Sequence, residues 1–414
     1  MSVTSLEFLL LLFLGAAVFF RLPSARLRQL AFTAGTAGFV YSYVPDPAGW
    51  VVLLGFVLSG YGCAELLRRR PSRVLFTSYI ILLIATFAFL KKYDFLKLCI
   101  PERFLDLHLQ IVGLSYILFR QIHFIVDVMQ GQIERPALWA YINYQFNPFT
   151  LLAGPIQRYQ DFQEYWVHPV PSLHDRHAVL TAYLRIFTGV IKVVVIAKVC
   201  CGSYDGLLGQ LGGAGPLSPG GWRAAAKLIL MLYYYLFYLY MNFSGYCDIV
   251  IAGASLVGLR LPENFNSPFL ARNILDYWSR WHITLGHWIR DYLFTPFYKT
   301  GAERFPRHTQ AVAVAGYFVA FTLAGIWHGS TWNFFIYGLL HGAGASAAKL
   351  WENAIIRYAG RPGLRKYLRS AAIRWAAIVA TFHYTCFSLF FFALDLGQGQ
   401  QILGRLLKSF AADY

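Results

Sequence analysis

Apolar residues run through the chain in long blocks, separated by short polar segments. A helix that crosses a bilayer needs about 20 mostly apolar residues. By that measure the stretches at roughly 4–20, 30–44, 49–67, 74–90, 109–129, 137–153, 178–201, 224–241, 243–259, 309–327, 331–350 and 371–394 are candidate membrane segments. The stretch 137–153 carries Asn143, Asn147 and Pro148 and is expected to be re-entrant, while 243–259 holds Gly245, Asp248 and Gly253. Gly and Pro concentrate at 203–221, which reads as a connecting loop. No internal repeat or heptad is visible, which argues mildly against a transporter built from paired halves. The pattern predicts an all-α polytopic membrane protein with about ten to twelve membrane helices, plus interfacial or re-entrant ones.

Composition points the same way. Of 414 residues, 57% are hydrophobic, 18% aromatic and only 14% charged, with a mean hydropathy of +0.48. A soluble domain carries about 25% charged residues, so a soluble enzyme, a disordered chain and a secreted disulfide scaffold are excluded. The 36 Lys+Arg and 20 Asp+Glu give a net charge of +16. The basic residues cluster between apolar runs: Arg21, Arg26 and Arg28; Arg68, Arg69, Arg70 and Arg73; Arg357, Arg361, Arg365, Lys366, Arg369 and Arg374. That is the signature of cytoplasmic loops rather than of a nucleic-acid partner, although basic loops also attract anionic lipid or a phosphate-bearing substrate. The first run has Glu7 and no basic residue before it, with arginines after it, so it is not expected to be a signal peptide. The same rule puts Arg21–Arg28 inside, the loop Pro45–Gly49 outside and Arg68–Arg73 inside. Lys91, Lys92 and Lys97 then fall on the wrong side, which a re-entrant or interfacial segment would repair. Cys63, Cys99, Cys200, Cys201, Cys247 and Cys386 form no C-x-x-C pair and are expected to be free thiols, most of them buried, with no metal site.

One block is too polar to span lipid. Residues 260–298 read RLPENFNSPFLARNILDYWSRWHITLGHWIRDYLFTPFY. Trp278, Trp281, Leu285, Trp288 and Tyr292 recur at helical spacing, which predicts one apolar face; Arg280, Thr284, His287 and Asp291 would share another. An amphipathic helix with tryptophans at headgroup level explains this pattern, and so does a helix whose His282 and Arg290 face a polar cavity. A second constellation is Gly325-Ile326-Trp327-His328-Gly329 inside an apolar run. An ionisable residue there is costly and marks function, and the flanking glycines permit a broken helix or a close approach. His341 lies about 220° away on a continuous helix, which would put it outside the site of His328. Two weaker signals are Leu152-Ala153-Gly154-Pro155-Ile156-Gln157-Arg158-Tyr159, where Arg158 can meet an anion, and the i, i+4 pair His123 and Asp127, which reads as structural.

Together these blocks resemble the membrane-bound O-acyltransferase family, and most closely its bacterial branch of alginate O-acetylation and teichoic-acid D-alanylation membrane subunits. The matching stretches are LLAGPIQRYQDF at 151–162, YMNFSGYCDIVIAGASLVGLRLPENFNSPF at 240–269, DYWSRWHITLGHWIRDYLFTPF at 276–297 and GIWHGSTWNFFIYGLLHG at 325–342. The resemblance covers roughly residues 90–350. It implies a single domain over 1–414, with N-terminal helices at 1–90, a catalytic core at 91–350 and a C-terminal helix and tail at 351–414, around a central tunnel. It implies that His328 is the catalytic histidine and His282 the second signature residue. Arg280, Trp281, Arg290 and Asp291 of the same block, Asn264 and Asn266 of the loop before it, Arg158 and Trp327 are the residues expected to bind substrate.

In such an enzyme a neutral imidazole takes the proton of the attacking hydroxyl. His328 is expected in that role, with His282 orienting the donor or stabilising the oxyanion. Arg158 and Arg290 are candidates to hold phosphates of the acyl donor. No permanently bound cofactor is implied; the co-substrate is acetyl-CoA or an acyl-carrier thioester. The implied partners are membrane lipid, a polysaccharide acceptor, a separate extracytoplasmic acyltransferase and, in the carrier-protein case, an acyl carrier protein. The implied location is the bacterial cytoplasmic (inner) membrane. Ser115-Tyr116-Ile117-Leu118-Phe119-Arg120 looks nearer the D-alanylation branch, whereas LPENFNSPF and GIWHG look nearer the alginate branch. Acetyl transfer to a cell-surface or exported polysaccharide is therefore expected first, D-alanyl or longer-acyl transfer second, and a non-catalytic transporter last. Tyr414 reads as a frayed terminus rather than an acyl relay.

Overall fold

The computed structural model describes residues 4–93, 96–97, 100–101, 113–169, 175–213 and 221–411, so Cys99 and Tyr414 lie outside the described residues. The chain is helical, and among the described residues β pairing is limited to one antiparallel bridge, Phe265 with Trp281. Among the described residues, six helical stretches are long and apolar enough to cross a membrane: Pro47–Arg69, Arg73–Lys91, Arg176–Gly212, Gly221–Leu256, Pro306–His328 and Ala371–Ala393. The chain divides into two compact units, Met1–Ile191 with Gly245–Glu263, and Lys192–Ser244 with Asn264–Tyr414.

In the first unit, helices α1 (Leu6–Arg21), α2 (Ala25–Tyr41), α3 (Pro47–Arg69) and α4 (Arg73–Lys91) each begin at a capping side chain. Ser5, Ser24, Asp46 and Ser72 accept from the backbone N–H of Phe8, Leu27, Gly49 and Leu75, satisfying donors that a helix start leaves open. Next come α5 (Leu114–Met129), α6 (Leu138–Gln145), α7 (Tyr159–Val167) and α8 (Arg176–Ile191). With 8 residues, α6 is about 12 Å long, so 137–153 does not cross as one helix. Arg120 of α5 closes its end. The fully buried guanidinium donates to the carbonyls of Tyr144 (2.8 Å) and Gln145 (2.6 Å) and to Thr150 Oγ1 (2.5 Å). The cation thus meets the negative end of the helix dipole and carbonyls that have no partner within the helix.

The second unit contains α9 (Lys198–Gly212), reached from α8 through a π turn at Lys192–Ala197, and most of α10 (Gly221–Leu256). Helix α9 overturns the expected loop at 203–221 as far as Gly212. Its glycines lower helix propensity but do not forbid the helix, and no proline precedes Pro216. The runs at 224–241 and 243–259, expected as two segments, likewise join in the single 36-residue helix α10. Asn242, Ser244 and Gly245 interrupt hydropathy without interrupting the backbone. From Gly245 onward α10 belongs to the first unit. There Asp248 meets Arg185 Nε at 3.0 Å, and the same guanidinium binds Glu263 through two oxygens at 2.7 and 2.6 Å. An acid inside an apolar helix is tolerated because its charge is paired.

The polar block then folds as α11 (Ile274–Trp278), α12 (Ile283–Ile289), a π turn at Arg290–Phe294 and α13 (Thr295–Arg304). The chain continues through α14 (Thr309–His328), α15 (Trp332–Arg369), α16 (Ala371–Ser388), α17 (Phe390–Ala393) and α18 (Leu396–Ala411). Helix α15 is two helices joined at Gly360 (φ 66°), with Pro362 just beyond. Helices α14 and α15 pack with their backbones in contact. A Cβ on Gly325 would strike the Phe334 carbonyl and lie 2.9 Å from Gly338 Cα, and one on Gly338 would lie 2.5 Å from the Phe321 carbonyl. Small residues that let helices approach this closely are a recurrent membrane packing device. Helix α18 closes α9: Arg405 binds the Leu211 carbonyl, and Gln401 Nε2 donates to the Gly212 carbonyl at 3.2 Å.

Replacing Gly338 by Val is expected to force α14 from α15 and to remove most folded protein, measured as the monodisperse fraction after detergent extraction. Gly206→Ala, where an added Cβ meets nothing within 4 Å, is expected to change little. A well-folded Gly338→Val protein would show that the contact is dispensable.

Candidate active site

The residues singled out from the sequence fall in both units. In the second, His328 ends α14, and Gly329-Ser330-Thr331 carry the chain to α15. Its imidazole is half-buried. Trp327 packs against it at 4.7 Å between ring centroids, Phe392 at 5.2 Å and Tyr337 at 6.3 Å. The Trp327 ring also lies 6.5 Å from that of His282. Trp327 therefore joins the two histidines that the sequence paired.

His282 reaches this position by breaking a helix. The spacing of Trp278, Trp281, Leu285, Trp288 and Tyr292 predicted one continuous amphipathic helix. Instead the chain leaves α11, and His282 takes a left-handed conformation (φ 46°, ψ 51°) immediately before α12. Such a backbone is uncommon outside glycine and persists only where its surroundings over-determine it. The surroundings here are the segment Asn264–Asn266. Asn264, fully buried, accepts at Oδ1 from Thr284 N (3.1 Å) and Thr284 Oγ1 (2.7 Å), while its carbonyl accepts from Ile283 N (3.0 Å). Asn266 N donates to the Arg280 carbonyl at 2.9 Å, and Phe265 pairs with Trp281. Asn264 and Asn266 thus hold the turn from its outer side. Phe243 packs on the His282 ring at 4.8 Å.

The rest of the block separates by exposure. Trp281 is buried and stacks on Tyr277 (5.7 Å, 16°). Arg280 pairs with Asp276 at 2.7 Å. Arg290 and Asp291 form an exposed pair with each other at 2.8 Å. His282 is buried, whereas Arg290 is exposed.

His341 is a second correction. The angle of about 220° assumed an unbroken helix, but the chain turns back after His328. Tyr337 packs on both His328 and His341, the latter at 4.4 Å. The indole Nε1–H of Trp278 donates to His341 Nδ1 at 3.1 Å, and His341 Nε2 lies 3.0 Å from Ser388 Oγ. Since Ser388 gives its proton to the Thr385 carbonyl, His341 Nε2 must carry the hydrogen. His341 is therefore a neutral, fully hydrogen-bonded ring that steadies Trp278 and Ser388. Tyr337, Phe243 and Phe392 were missed; aromatic residues in apolar runs carry no local signal.

Arg158 lies in the first unit, at the start of α7. Four residues before it Gly154 takes φ 80°, within the non-helical stretch that separates α6 from α7. The i, i+4 partners His123 and Asp127 take separate partners there. His123 Nε2 meets the Tyr144 hydroxyl at 2.9 Å and accepts from Tyr159 N at 3.3 Å, and Asp127 accepts from Gln160 Nε2 at 2.8 Å. Among the cysteines, Cys63, Cys247 and Cys386 are buried free thiols, and Cys200 and Cys201 are half-buried.

His282 lies outside the six candidate spans. Burial, and after it the neighbouring His328, pushes its imidazole from 6.5 down to about 3. Inside this fold it is a neutral ring, not a cation. In the unfolded chain it protonates near 6.5, so the unfolded state binds more protons between about 3 and 6.5. The stability tied to a neutral His282 is thus complete above 6.5 and is lost as pH falls toward 3. Lowering the pH from about 7 to 4.5 should therefore reduce the Tm of the detergent-solubilised protein more than that of His282→Gln. Equal losses would mean that His282 is not held neutral.

Residues 73–393 match the family model described as MBOAT, membrane-bound O-acyltransferase family. The chain is 29% identical over 364 residues to the teichoic acid D-alanyltransferase of Bacillus subtilis (strain 168), covering 83% of this chain and 82% of that one. It is 31% identical over 247 residues to the probable alginate O-acetylase AlgI of Azotobacter vinelandii, covering 58% and 45%. It is 27% identical over 310 residues to the peptidoglycan O-acetyltransferase of Helicobacter pylori (strain ATCC 700392 / 26695), covering 66% and 55%. The chain, a multi-pass membrane protein and an acyltransferase, belongs to the membrane-bound O-acyltransferase family.

Proposed function

We propose that this protein transfers an acyl group, in the first instance acetyl, from a cytosolic thioester across the membrane, for O-acylation of a cell-surface or exported polysaccharide. The observation that carries this reading is the pair of histidines joined by Trp327: His328 half-buried, His282 buried and neutral. His328 takes the proton of the attacking hydroxyl as its oxygen bonds to the thioester carbonyl carbon. The C–S bond then breaks, and the departing thiolate takes that proton back from the imidazolium. His282 acts as a neutral hydrogen-bond partner that orients the thioester or meets the developing oxyanion.

In this reading Trp281, Asn264, Asn266 and Arg280 position the His282 turn, and Trp327 walls the site. Arg158, Arg290 and Asp291 serve the phosphates of the donor or the carrier that presents it. The thioester is a co-substrate, acetyl-CoA or an acyl carrier, and no cofactor stays bound. About ten to twelve membrane segments, the six long helices and shorter ones, enclose a tunnel in the cytoplasmic membrane. A separate extracytoplasmic transferase completes delivery to the polymer. A second reading, D-alanyl transfer from a carrier protein, is favoured by one observation: the match to the teichoic acid D-alanyltransferase extends over 82% of that enzyme.

Label transfer from radiolabelled acetyl-CoA into envelope glycan tests the first reading. His328→Ala, at normal expression, should lose about 10²–10⁴-fold in rate, and His282→Gln should lose less. Wild-type acylation by His328→Ala would remove His328 from the chemistry. Label arriving only from a D-alanyl carrier thioester would select the second reading, and solute movement without acylation would favour a transporter.

A further inference from the structure

The basic cluster at 357–374 does more than orient the chain. No Asp or Glu occurs between Glu352 and Asp395, while Arg357, Arg361, Arg365, Lys366, Arg369 and Arg374 all do. The bend at Gly360 folds the second part of α15 back as an amphipathic segment beside α11 and the start of α16. Between these three elements lies a cleft of about 370 Å³. Its floor is apolar, with Leu275, Ile355, Leu364, Leu368 and Ile373 among its lining, and Arg272 and Arg374 also line it.

The charges of the cleft are not balanced internally. Asp276 also lines it, but its carboxylate is committed to Arg280 Nε (2.7 Å) and to the Arg272 backbone N–H (2.9 Å). Glu352 is paired with Lys349 at 3.5 Å. Among the described residues neither the Arg272 nor the Arg374 guanidinium has a carboxylate partner, and both side chains are exposed. Two cations above an apolar floor are complementary to a ligand with an anionic head and a hydrocarbon tail.

The position distinguishes a lipid from a soluble phosphate. Arg374 lies in the first turn of α16, which is the start of the candidate span Ala371–Ala393, and so at the level where a bilayer has its headgroups. Exposed aromatics lie in the same two helices, α15 and α16: Trp351 (59% exposed), Tyr358 (86%) and Trp375 (55%). Amphipathic aromatic rings concentrate at the membrane–water interface. We propose that the cleft between α11, the bent end of α15 and α16 is a binding site for an anionic phospholipid, with its phosphate between Arg272 and Arg374 and an acyl chain along Leu364, Leu368 and Ile355. The site is separate from the histidine pair, and the proposal stands whether or not the proposed acyl transfer does.

The test uses the full-length protein in nanodiscs of 3:1 phosphatidylcholine and phosphatidylglycerol, with retained lipid read by native mass spectrometry. Wild type should retain phosphatidylglycerol over phosphatidylcholine. R272Q/R374Q should lose that preference roughly 30-fold, about fivefold for each arginine at an interface, whereas R365Q/R369Q on the exposed face should lose little. A photoactivatable phosphatidylglycerol should label residues 355–373 in wild type and not in R272Q/R374Q. Equal retention by R272Q/R374Q, or an equal loss in R365Q/R369Q, would overturn the site in favour of diffuse surface charge. Displacement of the lipid by millimolar coenzyme A would overturn the lipid assignment and give the cleft to a soluble phosphate ligand. If R272Q/R374Q does not fold, R374K with the photolabel decides: retained labelling supports the site, and wild-type protein that leaves 355–373 unlabelled overturns it.

Discussion

The close approach of α14 and α15 is the constraint on which the second unit depends. Two helices that cross with Gly325 against Gly338 have no room for a side chain between them. In lipid there is little hydrophobic force to hold such helices, so close van der Waals contact carries the association. The contact lies one turn before His328. It sets where α14 can end, and it returns α15 so that Tyr337 reaches both His328 and His341. An apolar helix alone would not give the imidazole a defined place.

The second histidine is placed by the opposite means. His328 ends a regular helix, whereas His282 sits at a backbone conformation that L-residues seldom take. The strain is held by Asn264, whose side-chain and backbone oxygens satisfy three donors on the far side of the turn. Nearby, His341 shows that a buried histidine can be wholly structural: both ring nitrogens have partners and the serine relay leaves no proton to move. The three rings lie in one unit and differ in what surrounds them. Burial alone would not separate a reactive imidazole from a structural one.

Buried charge in the first unit follows the same logic. Among the described residues Arg120 has no ion-pair partner, yet it is enclosed because the carbonyl end of α6 supplies negative potential. Arg185 is held by two acids, one of them inside an apolar helix. In both cases the charge meets oxygen partners within the protein, which a low-dielectric surrounding favours.

Helical class and membrane character were legible in the sequence, because they rest on long apolar runs. The family resemblance rested on contiguous blocks and was equally legible. Element boundaries were less so. Polar side chains at 242–245 and glycines at 202–212 lower hydropathy or propensity, but helix continuity depends on the backbone, and no proline stands at either place. Helical periodicity misplaced His341, since an angle computed along a helix holds only while that helix continues. The break at His282 is made by hydrogen bonds to a segment some twenty residues earlier in the chain. The sequence by itself determined which residues are polar in an apolar molecule. Only the tertiary structure decided which of them meet, because the close glycine contact and the Asn264 clasp are interactions between segments that no local pattern encodes.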